Sequence, residues 1–167
     1  MRTSSTFYGN PAYVRQITIS ALVIAMYLTV MYVTQGFAFG QYQVRIATAL
    51  YALSAIFPFL VMPLGLANLL SNVLMGGLGL PDMLGGAVAG LTTAGLVYFI
   101  RSRGLRDWWI AAPIILCPGL MVPLWLAPIL GIPYTALAVS LTIGQVIPGI
   151  VGVLLVKQLK TKIRWVS

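Results

Sequence analysis

The sequence predicts an all-α membrane protein: one integral domain over residues 1–167, six transmembrane helices, and both termini cytoplasmic. Three observations predict it. Of 167 residues, 60% are hydrophobic and only 7% charged, whereas a soluble domain carries about 25% charged residues. Long apolar runs recur from end to end, and a spanning helix needs about 20 apolar residues. The ten Lys and Arg residues, which give a formal net charge of +8, collect at the ends of those runs, as topology-setting charge does. A water-soluble globule, a disordered chain and a nucleic-acid-binding protein are set aside on these grounds.

The first span is read as Ile17–Val33, ending at the stretch GFAFGQYQ. Residues 1–16 are too polar for a cleaved signal peptide, and the run that follows is long enough to span. Ala21 and Ala25 form a small-xxx-small pair on this span, a pattern that admits close helix approach. The second span is placed at Arg45–Val61. A short third run, Leu64–Met75, ends in GGLGLPD. The fourth, Met83–Ile100, precedes the loop RSRGLRD. The fifth, Trp108–Leu130, is interrupted by Pro113, Pro118 and Pro123. The sixth, Tyr134–Val156, carries Pro148 in its middle. Prolines there free backbone carbonyls, tolerable only against protein or a wet cavity.

The short third run needs a second argument, and charge supplies it. Arg2 and Arg15 precede the first span; Arg101, Arg103 and Arg106 follow the fourth; Lys157, Lys160, Lys162 and Arg164 follow the sixth. With six spans all three clusters fall in the cytoplasm, and Arg45 alone lies outside. Omitting the third run would put the last cluster outside. Six spans is the consistent count.

The inventory of reactive groups is thin. There is no histidine, the only acids are Asp82 and Asp107, and Cys117 is a lone cysteine. That excludes paired carboxylate chemistry, a metal set and an internal disulfide. No GxxxxGK[ST] phosphate loop is present. No enzyme, cofactor or metal is expected. Asp107 reads as a solvated loop charge among the inner arginines.

The remaining polar groups gather toward the outer face, where ionisable residues are functional candidates. Asn68 and Asn72 lie four apart and share a helix face. Asp82 follows Pro81 and is either an N-cap or a ligand contact. Gln145 is an amide in mid-helix. Arg45 either snorkels to the interface, holds a polar ligand, or pairs with Asp82. Around it Phe37, Phe39, Gln41, Tyr42 and Gln43 form a loop able to stack on a planar heterocycle, although an interfacial aromatic belt has the same composition. Trp125 is a further stacking candidate on the fifth span.

The stretches QYQVRIATALYALSAIFPF and GLANLLSNVLMGGLGLPDMLGGAVAGLTTAGLVYFIR resemble the QueT family, the queuosine-precursor-binding S components of energy-coupling factor (ECF) transporters. The resemblance covers most of the chain and is firmest between Gln41 and Arg101. It implies a six-helix ECF S-component-like bundle in a prokaryotic cell membrane. Such a bundle binds a vitamin-like solute near the outer face and works with a transmembrane coupling subunit and two ATPase subunits. Arg45, Asn68, Asp82 and Gln145 would then belong to the solute site, with Phe39, Gln41, Tyr42 and Gln43 as its lid. Ala21 and Ala25 would face the coupling subunit. Two acids of the family pattern are replaced, by Thr48 and by Gln145. The pocket is therefore expected to prefer a neutral planar solute, such as a nitrile-bearing 7-deazaguanine or the queuine base, over a cationic one, whose buried ammonium would lack a partner. An S component for another vitamin, a stand-alone secondary carrier using Asp82 as its protonatable group, and a ligand-free accessory subunit are the competing readings.

Overall fold

A proline opens the first helix. Pro11 fits the first helical position, where its fixed φ suits the helix and its missing N–H costs nothing. From it α1 (Pro11–Val33) runs 23 residues, about 35 Å. The computed structural model describes residues 11–38, 43–75 and 78–164, and every element among them is helical. A single turn, α2 (Gln35–Ala38), is followed by a 3₁₀ helix (Ile46–Ala55), a 3₁₀ turn (Pro58–Leu60) and α3 (Val61–Met75). Then come α4 (Leu80–Ser102), a 3₁₀ turn (Asp107–Ile110), α5 (Ala111–Leu130), α6 (Tyr134–Gly144) and α7 (Val146–Arg164).

Five helical stretches are long and apolar enough to cross a membrane: Pro11–Val33, Pro58–Met75, Leu80–Ser102, Asp107–Leu130 and Tyr134–Lys162. A sixth, Ile46–Ala55, is apolar but shorter. Each of the six apolar runs thus holds a helix, but the short one is the second and not the third. Pro58 is the reason. A residue before proline is pushed out of the α region, and Phe57 is extended at φ −121°, ψ 87°. The break hands Pro58, Phe59 and Leu60 to the third run, which starts earlier than Leu64 and reaches 18 residues.

The short helix is the centre of the bundle. Helices α1, α3, α4, α5 and α7 all pack on it, and nine of its ten residues are buried. Runs of 3₁₀ helix beyond three or four residues are uncommon because their hydrogen bonds are poorly aligned. Here the neighbours hold it. At three residues per turn, positions three apart eclipse, so Ala49, Ala52 and Ala55 stack into a low ridge. Gly152 of α7 lies against that ridge: a Cβ there would sit 3.1 Å from both the Ala49 carbonyl oxygen and Ala52 Cβ. A second row on the same spacing is polar: Arg45, Thr48, Tyr51 and Ser54. It becomes the core of the candidate site.

The sixth span is two helices rather than one. Pro148 has no N–H for the carbonyl four residues back and its ring crowds that carbonyl. The helix breaks there, at Gln145. Helix α5 stays continuous although it contains Pro118, Pro123 and Pro128. At one end of the molecule Asp107 takes Lys160 of α7 and, at 3.8 Å, Arg101 of α4. Its side chain is 21% exposed, so it is an ionic clamp and not the solvated loop charge expected. Two of the three basic clusters therefore share one end of the bundle.

Close helix approach gives a direct test. A Cβ on Gly119 of α5 would lie 2.9 Å from Thr142 Cα on α6, whereas one on Gly95 meets nothing within 4 Å. Gly119→Ala should cost about 1–3 kcal/mol through overpacking and lower the unfolding midpoint in detergent. Gly95→Ala should leave it unchanged or raise it slightly, since alanine is the better helix former.

Candidate functional site

The polar row on the 3₁₀ helix has no water to turn to, so each member finds a partner on a different neighbour. The Thr48 hydroxyl lies 2.7 Å from both the Arg45 carbonyl oxygen and Gln145 Oε1, and its single proton serves one acceptor at a time. The Gln145 Nε2 group donates to the Gln43 carbonyl at 3.2 Å. Ser54 bonds the Tyr51 and Ala94 carbonyls at 2.8 Å. Tyr51 OH receives Asn68 Nδ2 at 2.7 Å and meets Tyr27 OH at 3.3 Å. Two polar groups thus meet on the 3₁₀ helix, Gln43, Arg45, Thr48 and Gln145 at its head and Tyr27, Tyr51, Ser54 and Asn68 further along, and together they touch α1, α3, α4 and the α6–α7 junction.

Arg45 stands at the head of the row. It is 5% exposed, so it does not snorkel to an interface. Its Nε donates to the Ala38 carbonyl at 3.4 Å. It forms no ion pair with Asp82, contrary to one of the roles considered for it. Beside it Gln43 has φ +40°, the only non-glycine residue in the left-handed region among the described residues. Such a conformation costs about 1–2 kcal/mol, and it aims the Gln43 carbonyl at Gln145.

Asp82 is occupied elsewhere. Trp125 Nε1 donates to its Oδ1 at 3.0 Å and the Leu78 N–H to its Oδ2 at 3.3 Å. It sits in the first turn of α4 after the N-cap Gly79, where the helix dipole favours an anion. Trp125 lies against Gly85, where a Cβ would fall 2.6 Å from the indole. The indole therefore ties α5 to α4 through both its N–H and one face. Asn72 Nδ2 donates to the Asp82 backbone carbonyl at 3.0 Å. The side-chain oxygens of Asn68 and Asn72 are buried with no hydrogen-bond partner.

The structure thus brings Gln43, Arg45 and Gln145 together at the head of the polar row and Asn68 to Tyr51 further along it, while Asn72 and Trp125 both bond Asp82. Phe39, Gln41 and Tyr42 lie outside the described residues. Tyr51, Ser54 and Tyr27 were not among the residues expected from sequence at the site, and Thr48 was expected there only as the replacement of an acid. The signal for Thr48, Tyr51 and Ser54 was present as polar residues at every third position after Arg45, a period invisible to a reading that assumed an α-helix. Ala21 and Ala25 are exposed on α1, away from the buried stripe Val23, Tyr27 and Met31.

The arrangement ties the helices together by buried hydrogen bonds. Its integrity can be tested at the α4–α5 tie. Trp125→Phe keeps the ring on Gly85 and removes one donor from a buried carboxylate, which should cost about 1–3 kcal/mol. Thermal unfolding in detergent reads this directly; an unchanged midpoint would show the tie to be idle.

Comparison with known proteins gives one match. No curated protein and no solved structure matches the chain. The model of a family described as QueT transporter matches residues 17–161, a stretch that holds the polar row, both asparagines, Asp82 and Gln145. That is most of the chain, and the protein belongs to the QueT transporter family.

Proposed function

We propose that this protein is the solute-binding S component of an ECF importer, taking up a small neutral planar solute of the 7-deazaguanine or queuine type. The observation that carries the reading is the buried hydrogen-bonding cluster at the centre of an apolar bundle, in a chain whose family transports. Such a cluster is expensive to bury for its own sake. A transporter that must recognise a polar solute away from water has a use for it.

The electrostatics favour a neutral solute. Thr48 and Gln145, the two positions where the family pattern carries acids, touch each other at 2.7 Å. One neutral pair therefore stands where carboxylates would have offered a counter-charge. The remaining acid nearby, Asp82, already accepts from Trp125 and Leu78. Arg45 adds a positive charge to the same cluster, so an ammonium group would meet repulsion there and no carboxylate free of protein partners.

Orientation follows from charge. Arg101 and Asp82 lie at opposite ends of α4, and Lys160 joins the Arg101 end through Asp107. We place that basic end in the cytoplasm, with both termini, and Arg45, Gln43 and Asp82 toward the outside of a prokaryotic cell membrane. Ala21 borders an open groove of about 360 Å³ between Gln16, Ser20 and Ile24 of α1 and Phe59. We assign the exposed alanine face to the transmembrane coupling subunit, which brings the two ATPases.

Two experiments test this. A ligand at about a hundred times its dissociation constant adds about 2.7 kcal/mol of stability. 7-Cyano-7-deazaguanine should raise the unfolding midpoint of the detergent-purified protein more than its aminomethyl analogue, and Arg45→Ala should abolish the shift. Stronger stabilisation by the aminomethyl compound would overturn the charge argument. In the second, Ala21→Trp should prevent co-purification with the coupling subunit while solute binding persists; retained assembly would remove the docking assignment.

A further inference from the structure

We propose that Asn68 and Asn72 form a donor-reading edge of the solute site, their two side-chain carbonyl oxygens accepting hydrogen bonds from N–H groups of the bound molecule. The inference rests on the solute-binding reading above and narrows its chemistry.

Both side chains are buried, Asn68 at 4% and Asn72 at 0% exposure. Their Oδ1 atoms are the two buried side-chain polar atoms left without a partner among the described residues. In a bundle where Thr48, Ser54, Tyr51 and Gln145 have all found partners, two adjacent failures are not expected from packing alone. Turning the amides over does not remove the deficit. Asn72 Nδ2 faces the Asp82 backbone carbonyl, which only accepts, so the oxygen of Asn72 must be the free half. Turning Asn68 would place its oxygen on the Tyr51 hydroxyl and leave its nitrogen unpaired instead.

The two side chains also belong together. The residues are one helical turn apart on a single face of α3, and both lie over Gly86 of α4. A Cβ there would meet Asn72 Nδ2 first and Asn68 Oδ1 at 3.2 Å, so the nitrogen of Asn72 and the oxygen of Asn68 face it. A solute that opens this contact between α3 and α4 would meet both side chains. An acceptor pair selects a solute that offers donors: a ring N–H beside an exocyclic amino group, as in an amino-lactam edge, supplies two. A solute with carbonyl or ring-nitrogen acceptors at that edge is repelled.

The test compares two neutral probes that differ by one donor group. 7-Deazaguanine has the ring N–H and the 2-amino group; 7-deazahypoxanthine lacks the amino group. Titration calorimetry on the full-length protein should give tighter binding of 7-deazaguanine by about tenfold or more, the usual consequence of leaving a buried acceptor unpaired. Asn72→Ala and Asn68→Ala should each weaken 7-deazaguanine and bring the preference toward unity. The wild-type comparison needs no variant, so it decides the matter even if a substitution prevents folding. Equal binding of the two probes by the wild type, or a preference retained in both variants, overturns this inference and leaves the S-component reading standing. A wild type that binds neither probe overturns the deazaguanine reading and this inference with it.

Discussion

Inside a hydrocarbon slab a polar group bonds to protein or goes without, and this constraint shapes the molecule from its centre outward. Backbone groups answer it by forming helical elements alone among the described residues. Side chains answer it by clustering. Arg45, Thr48, Tyr51 and Ser54 are buried on one short helix, so five surrounding helices must turn a polar atom or a small residue toward it. Gln145 is delivered where Pro148 breaks the sixth span, Asn68 from α3, Tyr27 from the inner stripe of α1, and the Ala94 carbonyl from α4.

The 3₁₀ form of that helix is part of the same solution. In an α-helix, positions three apart step round the axis by about 60°, and the four polar side chains would spread over half the circumference. At three residues per turn they line up. The cost is poorer backbone hydrogen bonding, and the small residues on the opposite ridge help to offset it. Ala49 and Ala52 let α7 come so close that a Cβ on Gly152 would sit 3.1 Å from the Ala49 carbonyl oxygen and from Ala52 Cβ. Dispersion over such a contact is individually weak and collectively large. The geometry is imposed by tertiary packing, not by local propensity.

Much of this was legible in the sequence, and the failures have physical causes. Hydropathy located all six helical regions, because apolar length does not depend on which helix forms. Helix type was not legible. The row at 45, 48, 51 and 54 reads as scattered polarity under a 3.6-residue period and as a stripe under a period of three. The division of the second and third runs was written in Phe57–Pro58, but hydropathy runs straight through a proline. Asn68, Asn72 and Gln145 could be picked out as buried amides from their surroundings alone. Their partners could not, because a contact between Thr48 and Gln145 spans 97 residues and depends on the bend at Pro148. The clamp at Asp107 was missed for a related reason: its partner Lys160 is 53 residues away.

The distinction that matters most for function lies between polar groups that are satisfied and those that are not. Thr48, Gln145, Tyr51 and Asp82 spend their hydrogen bonds on the protein, so they fix the positions of helices and set the charge of the cluster. Asn68 and Asn72 spend only their nitrogens, on Tyr51 and on the Asp82 carbonyl, and those bonds aim the oxygens. A side chain anchored at one half of its amide and free at the other is preorganised: its rotamer is already fixed before a solute arrives. In the role proposed for the pair, binding then need not meet the entropy of ordering it, which runs to about 0.5–1.5 kcal/mol for each immobilised side chain. Gly86 completes the arrangement, since any larger residue would drive into Asn72 and turn the amide away. The close approach of α3 to α4 thereby does more than pack two helices; it sets the angle at which two acceptors are presented.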